Sequence, residues 1–119
     1  MNRPKTIFLD IDGTLIKHHG NLIKQVKSPP TLLDGTIDKL LEWERKGYNI
    51  ILTTGRKESY REKTTKMLSE TAIPYDQLVM GIGGGVRVLI NDKKPDNENN
   101  TAIAINLKRN DGIGKINEL

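Results

Sequence analysis

Apolar residues fall in short blocks along this chain, and the blocks switch between continuous runs and helical spacing. Ile7, Phe8, Leu9 and Ile11 form a nearly unbroken run, which predicts a strand of a parallel sheet covered on both faces. Residues 16–31 show no sustained period and end at Pro29-Pro30, a connector long enough to carry a function of its own. Leu32 to Lys46 reads as a helix capped by Asp34 or Thr36, with Ile37, Leu40, Leu41 and Trp43 facing inward and Gly47 at its end. Tyr48 to Leu52 forms a second buried strand that runs into Thr53-Thr54-Gly55-Arg56. Lys57 to Ile73 makes a second helix, stopped by Pro74. Further strands are expected at 76–80, 86–90 and 101–106, followed by a turn at Asn110-Asp111-Gly112 and a tail with one helical turn. The glycines of 81–85 precede a strand rather than a long helix, so they lack the context of a dinucleotide fingerprint. Strands alternating with helices predict an α/β fold, a Rossmann-like three-layer sandwich with a mainly parallel sheet. No repeat or linker divides the chain, so residues 1–119 read as a single domain.

Composition narrows this picture. A hydrophobic share of 35% with 4% aromatic residues predicts a core of Ile, Leu and Val, and 119 residues suffice to bury about two-thirds of the unfolded surface. A net charge of +4 can steer an anionic substrate, and equally describes a soluble surface with surplus lysine. No basic block with interleaved aromatics occurs, so nucleic acid is not indicated. Without cysteine there is no disulfide, thiolate metal site or Cys nucleophile. Asp10 interrupts the first apolar run too early for a signal peptide or membrane span, so a cytoplasmic location is expected.

The chemistry concentrates at the end of the first strand, where Asp10 and Asp12 precede Gly13-Thr14. Carboxyl ends of strands are where open α/β sheets bind ligands. Two carboxylates this close repel unless a cation or a shared proton compensates. Oxygen-only ligands suit Mg²⁺, beside which one carboxylate can attack a phosphoryl group while the other handles protons. The plainer alternative is a turn after a strand, where Asp is favoured for its own hydrogen bonding.

The string Asp10-Ile11-Asp12-Gly13-Thr14-Leu15 resembles the first motif of the haloacid dehalogenase-like phosphohydrolases. That resemblance implies that Asp10 is the nucleophile and a Mg²⁺ ligand, and that Asp12 is the general acid/base, binding the metal through its backbone carbonyl. The Thr53-Thr54-Gly55-Arg56 stretch is similar to the family's second motif. It implies that the Thr54 hydroxyl, or alternatively Thr53, bonds a phosphoryl oxygen, with Gly55 and Arg56 at the substrate. A guanidinium suits phosphate oxygens; a surface Arg at a helix start is the competing reading for Arg56. Asn91-Asp92-Lys93-Lys94-Pro95-Asp96 resembles the fourth motif and implies Asp92 as a metal ligand, with Asp96 as a secondary candidate.

The family's third-motif lysine is missing where it is often found, at Met80-Gly81-Ile82-Gly83. Lys93 is the nearest replacement, with Arg87, Lys63 and Lys66 as weaker candidates. No cap domain fits in this length. Capless relatives leave the site open or borrow a neighbouring subunit as a lid, so a homo-oligomer is an expected partner beside a small phosphorylated substrate. The short pattern is also similar to small relatives associated with sugar-phosphate metabolism. The expectation is a Mg²⁺-dependent phosphomonoester hydrolase. A non-catalytic phosphate- or metal-binding module is the alternative. A receiver-like signalling domain fits less well, because its phosphorylated Asp follows the third strand, which here ends at Met80-Gly81.

Overall fold

The computed structural model describes residues 3–95, 100–117 and 119. Thr6–Asp10 forms β1, Asn49–Thr53 forms β2 and Gln77–Val79 forms β3, and these make a parallel sheet in the order β1-β2-β3. The register pairs Thr6 with Asn49 through to Asp10 with Thr53, and Thr53 in turn with Val79. Three carboxyl ends therefore finish level, and the loops that leave them meet at one rim of the sheet. The β3 ladder begins with a side chain: the Asp76 carboxylate accepts from the Ile50 N–H at 2.7 Å, and the Asp76 N–H donates to the Ile50 carbonyl at 2.7 Å.

The helices are Leu22–Lys27 (α1), Thr36–Arg45 (α2) and Arg61–Glu70 (α3), the last preceded by a 3-10 turn at Glu58–Tyr60. α1 lies inside the connector expected to be irregular, and Asn21 caps it by accepting from the Lys24 N–H. Neither Asp34 nor Thr36 caps α2; Gly35 does, in a left-handed conformation. A Cβ on Gly35 would lie 2.2 Å from Gly114 Cα, so the C-terminal tail fits only against glycine there. The Thr36 hydroxyl instead donates to the Leu15 carbonyl at 2.7 Å, which ties the start of α2 to the loop after β1.

One buried cluster joins Leu9, Ile11, Leu15, Leu40, Ile50, Leu52, Leu68 and Ile113 with Trp43, so the core is not purely aliphatic. Leu40 and Trp43 face inward, whereas Leu41, expected to do so, is exposed on the opposite side of α2.

Three further expectations fail. β1 is not covered on both faces, since Phe8 is 56% exposed, and among the described residues it pairs only with β2. Residues 86–90 and 101–106 form no strand, and most of their apolar side chains face solvent. The tail holds a hydrogen-bonded turn, Ile116 N–H to Ile113 carbonyl, and no helix among the described residues. The physical reason is shared by both lost strands: strand composition acts only with a neighbour to pair with, and these segments have none within the described chain.

Candidate active site

The loop after β1 is wound tightly around one carbonyl. Ile11 O accepts from the N–H groups of Thr14, Leu15 and Ile16, and the Gly13 N–H closes back to the Ile16 carbonyl at 2.7 Å. Ile11, Leu15 and Ile16 are buried, so the apolar residues anchor the loop while Asp10, Asp12 and Thr14 stay on its polar side. Gly13 takes φ +89°, a conformation open to glycine, with the Arg109 side chain 3.3 Å from where a Cβ would stand. The far side of the loop is held from the C-terminal region: the Asn110 N–H donates to the Gly13 carbonyl at 2.8 Å, and Asn110 Oδ1 accepts from the His18 N–H at 2.7 Å.

Asp10 stands at the end of β1 and is exposed, with Thr14 Oγ1 donating to its Oδ2 at 3.3 Å. Its pKa is raised, first because the surrounding protein desolvates the carboxyl and second because Asp12 carries the same charge. The Thr14 hydroxyl, the Ile11 N–H and the positive charge of Arg87 act in the opposite direction.

Asp12 is fully engaged. Arg56 Nε donates to Oδ2 and Arg56 Nη2 to Oδ1, both at 2.9 Å, and Gln25 Nε2 donates to Oδ1 at 2.8 Å. Arg56 is 4% exposed, and its Nη1 donates to Thr64 Oγ1 on α3 at 3.1 Å. The expectation that Arg56 meets a substrate anion is thereby corrected: its guanidinium is spent on a buried, forked pair with Asp12. Gln25, on α1, also donates to the Lys17 carbonyl and accepts from the His19 N–H at 2.6 Å, so the segment 17–25 is stitched to Asp12 through one amide. Gln25 and Thr64 carry no motif. The only sequence signal was the unusual length of the connector that contains Gln25.

The second loop meets the first at its rim. Thr53 Oγ1 donates to the Leu9 carbonyl at 3.3 Å, and buried Thr54 Oγ1 accepts from the Arg56 N–H at 3.1 Å. Gly55 lies under the glycine-rich loop, where an added Cβ would be 3.3 Å from the Gly83 carbonyl oxygen. The Gly81 N–H donates to the Arg56 carbonyl and the Ile82 N–H to the Thr54 carbonyl, so this loop docks on the second motif.

Asp92 and Lys93 lie on an exposed stretch without regular structure, where the Asp92 carbonyl accepts from Thr101 Oγ1 at 2.7 Å. No group of three or more His, Cys, Asp or Glu side chains able to hold a metal forms among the described residues, so Asp92 does not complete a set with Asp10 and Asp12. Asp96 lies outside the described residues. The donors that are present, the Asp10 carboxylate and the Asp12 carbonyl, are hard oxygens and fit Mg²⁺. The Asp12 carboxylate is excluded as a ligand by its three donors.

The family model for the PITM 1-3, LNS2 domain matches residues 7–96. A chain in a structure of a Pnkp1/Rnl/Hen1 complex is 31% identical with a TM-score of 0.58, covering 71% of this chain and 30% of that one. A second, from the Pnkp1/Rnl/Hen1 RNA repair complex, is 28% identical at 0.56, covering 80% and 28%. This chain thus spans less than a third of either. A Vibrio cholerae structure, target APC26283, shares the fold at 21% identity and a TM-score of 0.56, covering 74% of this chain and 79% of its own. No curated protein matches the chain. No helix among the described residues is long and apolar enough to cross a membrane. The chain belongs to the family of the PITM 1-3, LNS2 domain and has the haloacid dehalogenase-like phosphatase fold.

Proposed function

We propose that this phosphatase domain hydrolyses small phosphomonoesters in a Mg²⁺-bearing compartment such as the cytosol, with Asp10 as nucleophile. The observation that carries the reading is the contrast between two neighbouring carboxyls. Asp10 is exposed at the strand end with one weak partner, while Asp12 is fixed beside it by Arg56 and Gln25. A nucleophile must be open to substrate, and an acid/base must be held in place.

An Asp10 oxygen attacks phosphorus in line and the P–O bond to the leaving alcohol breaks, the alkoxide taking a proton from solvent. The Asp12 carboxylate then takes a proton from the water that cleaves the aspartyl phosphate, which releases phosphate and restores Asp10. Mg²⁺, held by the Asp10 carboxylate and the Asp12 carbonyl, would neutralise charge on the transferring oxygens. The Thr54 hydroxyl, with Thr53 as the alternative, orients those oxygens. Lys93 remains the proposed third-motif cation. Arg87 competes with it, because its charge already acts on Asp10.

The test is phosphate release from a panel of sugar phosphates and an oligonucleotide with a terminal phosphate. The oligonucleotide is included because two similar chains sit in a Pnkp1/Rnl/Hen1 complex. Turnover that needs Mg²⁺, stops with EDTA and is absent in Asp10→Asn supports the reading. A folded protein that binds Mg²⁺ and turns over nothing supports the binding-module alternative.

A further inference from the structure

After the exposed stretch that follows the glycine-rich loop, the chain rejoins the body at Arg109-Asn110, and it does so on the first motif. Asn110 takes φ +68°, a left-handed conformation that asparagine tolerates better than most residues. Its N–H donates to the Gly13 carbonyl at 2.8 Å and its Oδ1 accepts from the His18 N–H at 2.7 Å. Its Nδ2 donates to the His18 carbonyl at 3.4 Å. Three bonds to two residues fix the backbone beside Arg109.

This clasp lays the Arg109 side chain across Gly13. From the point where a Gly13 Cβ would stand, Arg109 Cγ is 3.3 Å away, His18 Cβ 3.5 Å and Arg109 Nε 4.0 Å. The side chain that residue 13 lacks is the space in which the arginine stem lies, beside His18. Thr14, the next residue, donates to the Asp10 carboxylate at 3.3 Å. One step along the loop therefore separates the glycine beneath the guanidinium from the residue that touches the nucleophile.

The other arginines near the strand ends are occupied. Arg56 is bound to Asp12 and Thr64, and Arg61 to Glu58 and the Leu78 carbonyl. Arg87 donates to the Gly85 carbonyl, and its charge acts on Asp10. Arg109 is exposed and makes no hydrogen bond or ion pair among the described residues. A guanidinium with its fork of donors free is suited to a phosphate or a carboxylate. Because its stem is already seated, little rotamer freedom is lost when the anion binds.

We propose that Arg109 is a specificity-determining residue of this site. It binds a second anionic group, phosphate or carboxylate, carried by the substrate a few bonds from the phosphate that Asp10 attacks. The substrate class is thereby a small phosphomonoester with a further negative charge. The attack at Asp10 rests on the proposed function; the anion contact at Arg109 does not.

The test compares glucose phosphate, phosphogluconate and fructose bisphosphate, whose second anion is respectively none, a carboxylate and a phosphate. Wild-type kcat/KM for one of the last two should exceed that for glucose phosphate by roughly ten- to a hundredfold, the scale of one charge-assisted contact. Which of the two is preferred identifies the anion. Arg109→Met keeps the stem on Gly13 and should bring that ratio to within about twofold, with glucose phosphate unaffected. Lys108→Met removes the same charge from the neighbouring exposed residue and should leave the ratio intact. An equal loss of the ratio in both variants means general steering and overturns the contact. A loss shared by glucose phosphate places Arg109 on the transferring phosphate and also overturns it. Calorimetric titration of Asp10→Asn with the same compounds needs no turnover. Tighter binding of a doubly anionic compound, lost when Arg109→Met is added, is expected there even if the wild type hydrolyses nothing and the proposed function falls. Equal binding of all three overturns the subsite.

Discussion

Arg56 holds Asp12 with a two-pronged grip, Nε on one carboxylate oxygen and Nη2 on the other, both at 2.9 Å. The pair is 4% and 14% exposed at the side chains, so each charge depends on the other for the solvation it has lost. The acid/base candidate and the second motif are thereby one mechanical unit.

Arg56→Met should therefore do more than remove a charge. Leaving Asp12 buried and unpaired costs about 3–5 kcal/mol, read by urea unfolding. Adding Asp12→Asn to that variant should return part of the loss. If the two substitutions are simply additive, the pair is not coupled.

Gln25→Met keeps the volume and removes the amide that bridges Asp12, the Lys17 carbonyl and the His19 N–H. Turnover should fall roughly tenfold, about 1.4 kcal/mol in barrier, with KM within a factor of two. Stability should fall by about 1–3 kcal/mol, because the His19 N–H loses its acceptor. An unchanged kcat would remove Gln25 from the positioning of Asp12.

Asp10 gives a pH signature. Its pKa lies above the ordinary 3.8, through desolvation and then the charge of Asp12. The folded state thus holds the proton more tightly than the unfolded chain, and stability is lost as pH climbs from 3.8 through the raised folded value. Asp10→Asn should melt at a higher temperature than wild type at pH 7, and the difference should close below pH 3.8. Mg²⁺ should narrow the gap at pH 7 by stabilising the wild type alone. A gap that is constant with pH would show that the carboxyl charge is not its cause.

Gly35 and Gly47 share φ +77°, but only Gly35 faces backbone, at 2.2 Å from Gly114 Cα. Gly47→Ala should cost about 1–2 kcal/mol for the left-handed conformation alone. Gly35→Ala adds a collision with the tail and should cost roughly 2–5 kcal/mol in all. Equal thermal shifts would mean that the tail yields freely.

Much of the body was legible because its signals are local. The run Ile7 to Ile11 broken by Asp10 could only be a strand ending in acids, and Gly47 and Pro74 mark helix ends that the structure reproduces within a few residues. Trp43 was legible from the helical spacing of α2, although composition alone suggested an aliphatic core. Arg56 was misread because sequence shows a cation near a phosphate motif, not which anion reaches it first. Gln25 was missed because its role comes from folding α1 back over the first loop, a placement without a residue pattern. Residues 86–90 were misread for a different reason: strand propensity states half of a pair, and the other half is not in the same stretch of chain.

The bonds from Asn110 to Gly13 and His18 also bear on the order of events during folding. They join the first motif to a residue 92 positions from His18, and β1 must wait for β2, about forty residues downstream, before it has any ladder. Contacts this distant in sequence slow folding, since the intervening chain must be closed before they repay its entropy. On the ribosome the loop after β1 is made well before the residues that buttress it. Until residue 110 emerges, Ile11, Leu15 and Ile16 lack their final cover, and during that interval the nascent chain is most open to aggregation and to a chaperone's grip.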